Sequence, residues 1–257
     1  METELDDVIF EQIPPSNDGT NPKLYAERAS WWPLMSPRSH YCNEAEFFTL
    51  LFKQHGAPKA ATLLELGSGG GHLASYLSDE FVITLSDLSE GMLTASRALN
   101  PDCEHIAGDM RSLRTGCEYD IVIIHDAIHY MTTLDDLERA LMTAALHCRE
   151  GGLALFVPDH VAETFVPGTR CQDTTLGKRR LRFMETVDDF DPTDNACTAE
   201  HVFLFEEQGK PRKISYQRLT WGVFSIDTWL AALQRCGFEG EVLDDVEGRR
   251  IFLAKRT

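Results

Sequence analysis

The chain has 257 residues, 43% apolar and 25% charged, a globular composition with room for one large domain or a domain plus a subdomain. Its net charge of −17 would repel a phosphate backbone, which argues against a nucleic-acid partner. No apolar run approaches the roughly 20 residues of a spanning helix, and the acidic stretch Met1 to Phe10 lacks the basic and apolar regions of a signal peptide. Seven dispersed cysteines with no CxxC pair read as reduced thiols, so the expectation is a cytoplasmic protein without a membrane partner.

Residues 1–22 are acidic and rich in Pro, Asn, Gly and Ser, and are expected to form a mobile tail ahead of a single domain over 23–257. Helical periodicity from about Lys23 to Gln54, interrupted by Pro33 and Pro37, predicts a helical cover over 23–59. From residue 60 to 157 short apolar runs alternate with amphipathic stretches. Ala61–Leu66, Phe81–Leu85, His105–Ala107, Tyr119–Ile124 and Gly152–Val157 read as five strands. Helices start at Gly71, at Ser89 as a cap, and at Leu134. Apolar strands separated by helices indicate a parallel sheet covered on both faces.

The pattern changes after Pro158. Arg182–Val187, His201–Glu206 and Ser215–Trp221 are strand-like with no helix between them, which predicts an antiparallel insertion over 158–224. Ser225 then caps a helix carrying Trp229, Leu230 and Leu233 on one face, and Gly237 stops it. Val242–Val246 and Arg250–Lys255 close the chain as strands, the last expected at an antiparallel edge. The predicted fold is α/β: a doubly wound, mostly parallel seven-stranded sheet with an inserted antiparallel β subdomain.

The first strand runs through Glu65 into Gly67, Ser68, Gly69, Gly70 and Gly71 before a helix. Glycines let backbone turn tightly and approach a ligand. A dinucleotide fingerprint would require glycine where His72 stands. Acidic residues recur at Asp87 and Asp109, ending the second and third strands, where ligands of such sheets bind. Asp87 is placed to accept both hydroxyls of a ribose.

Four segments together resemble the class I S-adenosylmethionine-dependent methyltransferases. They are Glu65–Gly71, Ser86–Met92, Gly108–Met110 and Tyr119–Tyr130. The resemblance covers residues 60–157 well and the last third loosely. It implies that Glu65 orders the glycine loop (Gly67, Ser68, Gly69, Gly71) and meets the methionine amino group of the cofactor. Asp87 would hold the ribose, Leu88 and Met92 the adenosine, Asp109 the adenine amino group and Met110 the ring, with His125 at the methionine end. Tyr25 would touch the methionine carboxylate.

The layout also resembles small-molecule N-methyltransferases that include the sugar N,N-dimethyltransferases, in which a His commonly sits near the position of Tyr130. His129 and Tyr130 are the candidates for proton handling or acceptor positioning; a packed His–Tyr pair beneath the site is the alternative. Trp32, Asp126, Asp159, His160, Tyr216 and Trp221 are expected around the acceptor, although Trp31 and Trp32 would serve equally as anchors of the cover. Lys178-Arg179-Arg180, the one concentrated basic run, faces either an acceptor phosphate or solvent. His125, Asp126 and His129 together suggest a metal site, which the family resemblance does not support, so none is expected.

The expected function is methyl transfer from S-adenosylmethionine to N or O of a small molecule, leaving S-adenosylhomocysteine. The enzyme would be a monomer or homodimer. The alternatives are a non-catalytic cofactor-binding regulatory partner and a nicotinamide-dependent oxidoreductase.

Overall fold

The computed structural model describes residues 8–13, 25 and 28–257. In chain order, strand β1 (Val8–Gln12) is followed by a 3-10 turn (Ala29–Trp31), α1 (Trp32–Met35), a second turn (Arg38–Tyr41) and α2 (Cys42–Gln54). Then come β2 (Thr62–Leu66), α3 (Ala74–Leu77), β3 (Val82–Asp87), α4 (Glu90–Leu99), β4 (Glu104–Ala107) and β5 (Tyr119–His125). A 3-10 turn (Ala127–Tyr130) leads to α5 (Leu134–His147) and β6 (Cys148–Val157). β7 (Gly168–Leu176), β8 (Arg179–Asp191), β9 (Ala196–Glu207) and β10 (Arg212–Gly222) precede α6 (Ile226–Arg235), β11 (Phe238–Asp244) and β12 (Arg250–Arg256).

The larger sheet has seven strands in the order β11-β12-β6-β5-β2-β3-β4. It is parallel from β6 to β4, while β12 runs antiparallel to β6 and β11 antiparallel to β12. The central strands β2 and β5 are buried on both faces, which explains their unbroken apolar runs. One apolar layer packs α5 and α6 against the sheet through Leu137, Leu141, Trp229 and Leu233. The opposite layer packs α2 and α3 through Phe48, Phe52, Ala74 and Leu77.

The helix starts follow from side-chain caps. Ser89 Oγ accepts from Met92 N at 3.3 Å, Thr133 Oγ from Asp136 N at 3.1 Å, and Ser225 Oγ from Thr228 N at 3.1 Å. The helix expected from Gly71 is shorter than its sequence pattern, covering only Ala74–Leu77. The expectation that the last strand lies at the edge is corrected: β12 is interior and β11 is the edge. Ile251–Ala254 are all buried, and such an apolar run needs cover on both faces.

A second sheet has the order β1-β10-β9-β8-β7, antiparallel from β10 to β7. Strand β7 escaped the sequence reading because it is polar and mostly exposed, the usual character of a sheet edge. β1 adds to β10 in parallel. Within the expected mobile tail, Val8–Gln12 forms this strand; the rest of residues 1–22, Ile13 apart, lies outside the described residues. The free edge of β10 supplies β1's hydrogen bonds, Ile13 N donates to Tyr216 O at 2.9 Å, and Glu11 pairs with Arg28 and with Lys213 at 2.9 Å.

Candidate active site

The glycine loop sits where β2 meets α3, at the carboxyl end of the parallel sheet. Gly67 has φ +72°, and a Cβ there would lie 2.6 Å from Ala127 Cβ and 2.8 Å from Met110 Cε. Gly71 has φ +71°, and its Cβ would lie 2.3 Å from Ser96 Oγ and Asn100 Nδ2. Both positions need glycine for backbone conformation and for close packing.

Asp87, at the end of β3, ties this loop down. Its Oδ2 accepts from Gly69 N at 2.8 Å and its Oδ1 from Ser89 N at 2.7 Å. Burial raises its pKa, and those two N–H groups oppose the rise.

The loop forms one wall of a cleft with about 1020 Å³ of empty space, part of it open to solvent. Glu65, Gly67, Ser68 and Gly69 line it from β2 and the loop. Asp87, Leu88 and Met92 line it from β3 and α4, and Asp109 and Met110 from beyond β4. His125, Asp126, His129 and Tyr130 complete it beyond β5, with Tyr25 and Trp32 as cover. Of the residues expected to bind a cofactor, Gly71 alone is absent from the lining; it packs under Ser96 and Asn100 instead.

Charge in the cleft is concentrated at its buried end. Burial raises Glu65 to about 8, and its Oε2 has no hydrogen-bond partner. Burial lowers His125, yet Asp126 and Glu44 outweigh it and bring the ring to about 9. Its Nε2 is 3.2 Å from Glu44 and its Nδ1 3.4 Å from Asp126. Arg249, from the β11–β12 turn, joins Glu44, Asp126 at 3.0 Å and Asp245 at 2.7 Å. Asp126 holds φ +50°, a strained conformation for a residue with a side chain.

Asp109 is held by Arg111, whose Nη2 donates to Oδ2 at 2.6 Å. Burial raises Asp109, and the bonds to Arg111 more than reverse that rise. Arg111 also reaches Asp136 at 3.2 Å.

His129 stands on the turn after β5. Its Nδ1 is hydrogen-bonded to Asp159, while its Nε2 is buried with no partner. Burial raises Asp159, but the charge and bond of His129 hold it well below the usual carboxylate range. The His129 ring lies 4.4 Å from Tyr130 and 4.5 Å from Trp221. Tyr130 and Tyr25 share a hydroxyl–hydroxyl bond of 2.7 Å.

Of the residues expected around the acceptor, Trp32 and Asp126 line the cleft, and Asp159 reaches it through His129. His160 and Trp221 are one layer behind, their rings stacked 6.5 Å apart. Tyr216 is the exception: alternation along β10 puts Ser215 and Gln217 on the buried face and Tyr216 on the other, where its hydroxyl donates to Glu200 at 2.5 Å. The Lys178–Arg180 run caps the β7–β8 hairpin, with Arg180 paired to Asp173 at 2.5 Å and Arg179 to Glu207 at 3.5 Å. Among the described residues no group of three or more His, Cys, Asp or Glu side chains is arranged to hold a metal ion. Nor is any described helix long and apolar enough to cross a membrane.

Glu44, Arg249 and His72 were missed in the sequence. Glu44 sits among Ala45, Phe48 and Leu51 on the buried face of α2, so an acid interrupting an apolar stripe was the available signal. His72 lines the cleft with an unpartnered Nδ1, and its signal was its place where a dinucleotide fingerprint would have glycine. Arg249 gave no signal, because only the turn geometry brings it inward.

Residues 63–152 match the family model described as a methyltransferase domain. Over that span the chain resembles a methyltransferase domain. The resemblance carried by Glu65–Gly71 and the three later motifs is thus borne out.

Two curated relatives match part of this chain. One is the dTDP-3-amino-3,4,6-trideoxy-alpha-D-glucopyranose N,N-dimethyltransferase of Streptomyces venezuelae, 31% identical over 155 residues, or 60% of this chain and 65% of that protein. The other is the dTDP-3-amino-3,6-dideoxy-alpha-D-glucopyranose N,N-dimethyltransferase of Streptomyces fradiae, 32% identical over 50% of this chain and 51% of that protein. The chain therefore spans between half and two thirds of the length of these relatives.

Solved structures extend the likeness. Streptomyces venezuelae DesVI superposes with a TM-score of 0.79 at 24% identity, covering 90% of this chain and 97% of that one. The sugar N-methyltransferase KedS8 from Streptoalloteichus superposes with a TM-score of 0.78 at 20% identity, covering 90% and 92%. At such identities the likeness establishes the fold.

Proposed function

We propose that this chain is an S-adenosylmethionine-dependent N-methyltransferase whose acceptor is an amino sugar carried on a nucleotide. The observation that carries the cofactor assignment is Glu65: a buried carboxylate with an unpartnered oxygen, facing a glycine-lined cleft. A buried acid of that kind asks for a cation, and the ammonium of an amino acid fits it. Pyrophosphate does not. The acceptor class comes from the two curated relatives, both N,N-dimethyltransferases of amino sugars linked to dTDP.

S-adenosylmethionine supplies a methyl group on a sulfonium, and alignment with the acceptor accounts for much of the acceleration. Glu65 would hold the ammonium, with His72 and Tyr25 near the carboxylate. Asp87 would accept the ribose hydroxyls on the lone pairs its two backbone bonds leave free. Leu88, Met92 and Met110 would flank the adenosine, and Asp109 the adenine amino group. His125 would line the methionine end.

An acceptor amine is protonated near neutral pH and must lose a proton before it can attack. His129 is suited to take it. Asp159 accepts the Nδ1 proton, which leaves the unpartnered Nε2 as the basic atom. Tyr130, bonded to Tyr25, would position the amine. The second sheet would act as an insertion walling the acceptor side, within one functional domain over residues 23–257. We place this small-molecule enzyme in the cytoplasm.

Calorimetry with S-adenosylhomocysteine, S-adenosylmethionine, NADH and NADPH tests the cofactor reading on wild type and Asp87→Ala. Saturable binding of the adenosyl pair alone, weakened in Asp87→Ala, supports it. Preference for a nicotinamide, or no adenosyl binding, overturns it.

A further inference from the structure

Side chains alternate along β8, β9 and β10, and every second one faces the core. Most of those inward positions are apolar: Leu181, Phe183, Phe203 and Phe205 toward one end, and Val187, Ala199 and Leu219 toward the other. Between them runs a polar row. Strand register sets Glu185 opposite His201 and His201 opposite Gln217. Ser215 is the next inward residue on β10.

These side chains are deeply buried: Glu185 is 7% exposed, His201 3%, Gln217 1% and Ser215 0%. Glu185 is fixed from outside by Arg170, whose Nε donates to Oε1 at 2.6 Å. On its inner side His201 Nε2 stands 3.0 Å from Oε2. Gln217 Nε2 and Ser215 Oγ have no partner, and neither does Nε1 of buried Trp221. Each such atom costs a folded protein about 1–3 kcal/mol, and three together in one patch of sheet call for an explanation.

The patch adjoins the site already described. The His201 ring lies 5.7 Å from Trp221, and Trp221 lies 4.5 Å from His129. The Glu185 charge also disfavours ionisation of both Tyr25 and Tyr130, so the row is within electrostatic reach of their hydroxyl pair. Tyr25 packs against the aromatic end of the same sheet and its partner Tyr130 against the other end, so the pair bridges the two ends between which the row lies.

We propose that Glu185, His201, Gln217 and Ser215, with Trp221 at their end, form the subsite for the hydroxyl groups of the acceptor's sugar ring. The proposal deepens the amino-sugar reading and rests on it. A sugar ring offers hydroxyls that both donate and accept, and the row offers both kinds of partner. Glu185 accepts, while Gln217 Nε2 and Trp221 Nε1 donate. Exchange of the Tyr25–Tyr130 hydroxyl bond for bonds to sugar hydroxyls would open the row to the acceptor, with Tyr25 kept at the cofactor and Tyr130 at the amine.

A polar row kept for a ligand has a signature that a structural one lacks. Removing an unpartnered buried amide relieves the free protein, whereas removing a bonded one harms it. Gln217→Leu and Ser215→Ala are therefore compared with wild type in three measurements. These are thermal melting, calorimetric binding of S-adenosylhomocysteine, and KM and kcat with dTDP-3-amino-3,6-dideoxy-α-D-glucopyranose as the acceptor probe.

The expected result is a melting temperature unchanged or raised, unchanged S-adenosylhomocysteine binding, and KM for the probe raised about tenfold or more in Gln217→Leu. Ser215→Ala, the smaller change, should raise KM about threefold and decides the matter should Gln217→Leu fail to fold. Wild-type KM in both variants overturns the subsite while the amino-sugar reading stands. A lowered melting temperature in both variants makes the row structural and also overturns it. Wild type that binds S-adenosylhomocysteine but does not methylate the probe removes the amino-sugar reading, and the subsite with it.

Discussion

Glu65→Gln is the substitution with the most informative consequences. Burial holds the Glu65 carboxyl at about 8 against an ordinary 4.5, so in the free protein it is mostly protonated at neutral pH. The unfolded chain, with an ordinary carboxyl, is ionised there. Between pH 4.5 and 8 the folded state thus binds more protons, and stability falls as pH rises through that window. About 2.5 pH units separate pH 7 from the ordinary value, at about 1.4 kcal/mol each, which puts the cost at roughly 3 kcal/mol.

Glutamine has nearly the same shape and no charge, so Glu65→Gln should recover most of that energy. Melting should rise by about 2–4 °C per kcal/mol in a chain of this size. The advantage should vanish near pH 4.5 and grow toward pH 8. The same substitution should weaken S-adenosylhomocysteine binding by about tenfold or more, because a charge-assisted hydrogen bond is lost. Paired thermal melts at pH 5 and pH 8, with calorimetry at pH 7.5, measure both effects. A melting gain that does not depend on pH, or a loss at every pH, would refute the claim that Glu65 is a desolvated acid kept for a cation.

Other substitutions bear on separate parts of the account. Gly67→Ala combines a left-handed φ of +72° with a Cβ 2.6 Å from Ala127 Cβ, so chemical denaturation should show a loss of about 1–3 kcal/mol together with weaker adenosyl binding. Arg249→Met strands Glu44, Asp126 and Asp245 without their common cation, and should cost about 3–5 kcal/mol in the same assay. His129→Ala should spare S-adenosylhomocysteine binding and lower kcat by about 10²–10⁴; normal turnover with the true acceptor would exclude His129 as the base.

The parallel core was legible because most of its strands are short apolar runs, with acidic residues at or just past the ends of β2, β3 and β4. Glu65, Asp87 and Asp109 could be assigned to one crevice from strand ends alone, and all three line the same cleft. What escaped depended on contacts between distant segments. Arg249 enters the site only because the β11–β12 turn folds over Glu44 and Asp126. Strand β1 forms only because β10 offers it a free edge. Tyr216 was expected around the acceptor as part of the insertion, but strand parity turns it to the opposite face. The same parity brings Gln217 and Ser215 inward, where a reading that followed aromatic residues passed over them.

Mass spectrometry of the acceptor tests the central claim most directly. The purified chain is incubated with S-adenosylmethionine and dTDP-3-amino-3,6-dideoxy-α-D-glucopyranose, and the sugar nucleotide is analysed for added methyl groups. The account predicts a gain of one or two methyl groups on the amine, with S-adenosylhomocysteine formed in equal measure. An unmodified sugar in the presence of saturating, demonstrably bound S-adenosylmethionine would contradict the amino-sugar N-methyltransferase assignment.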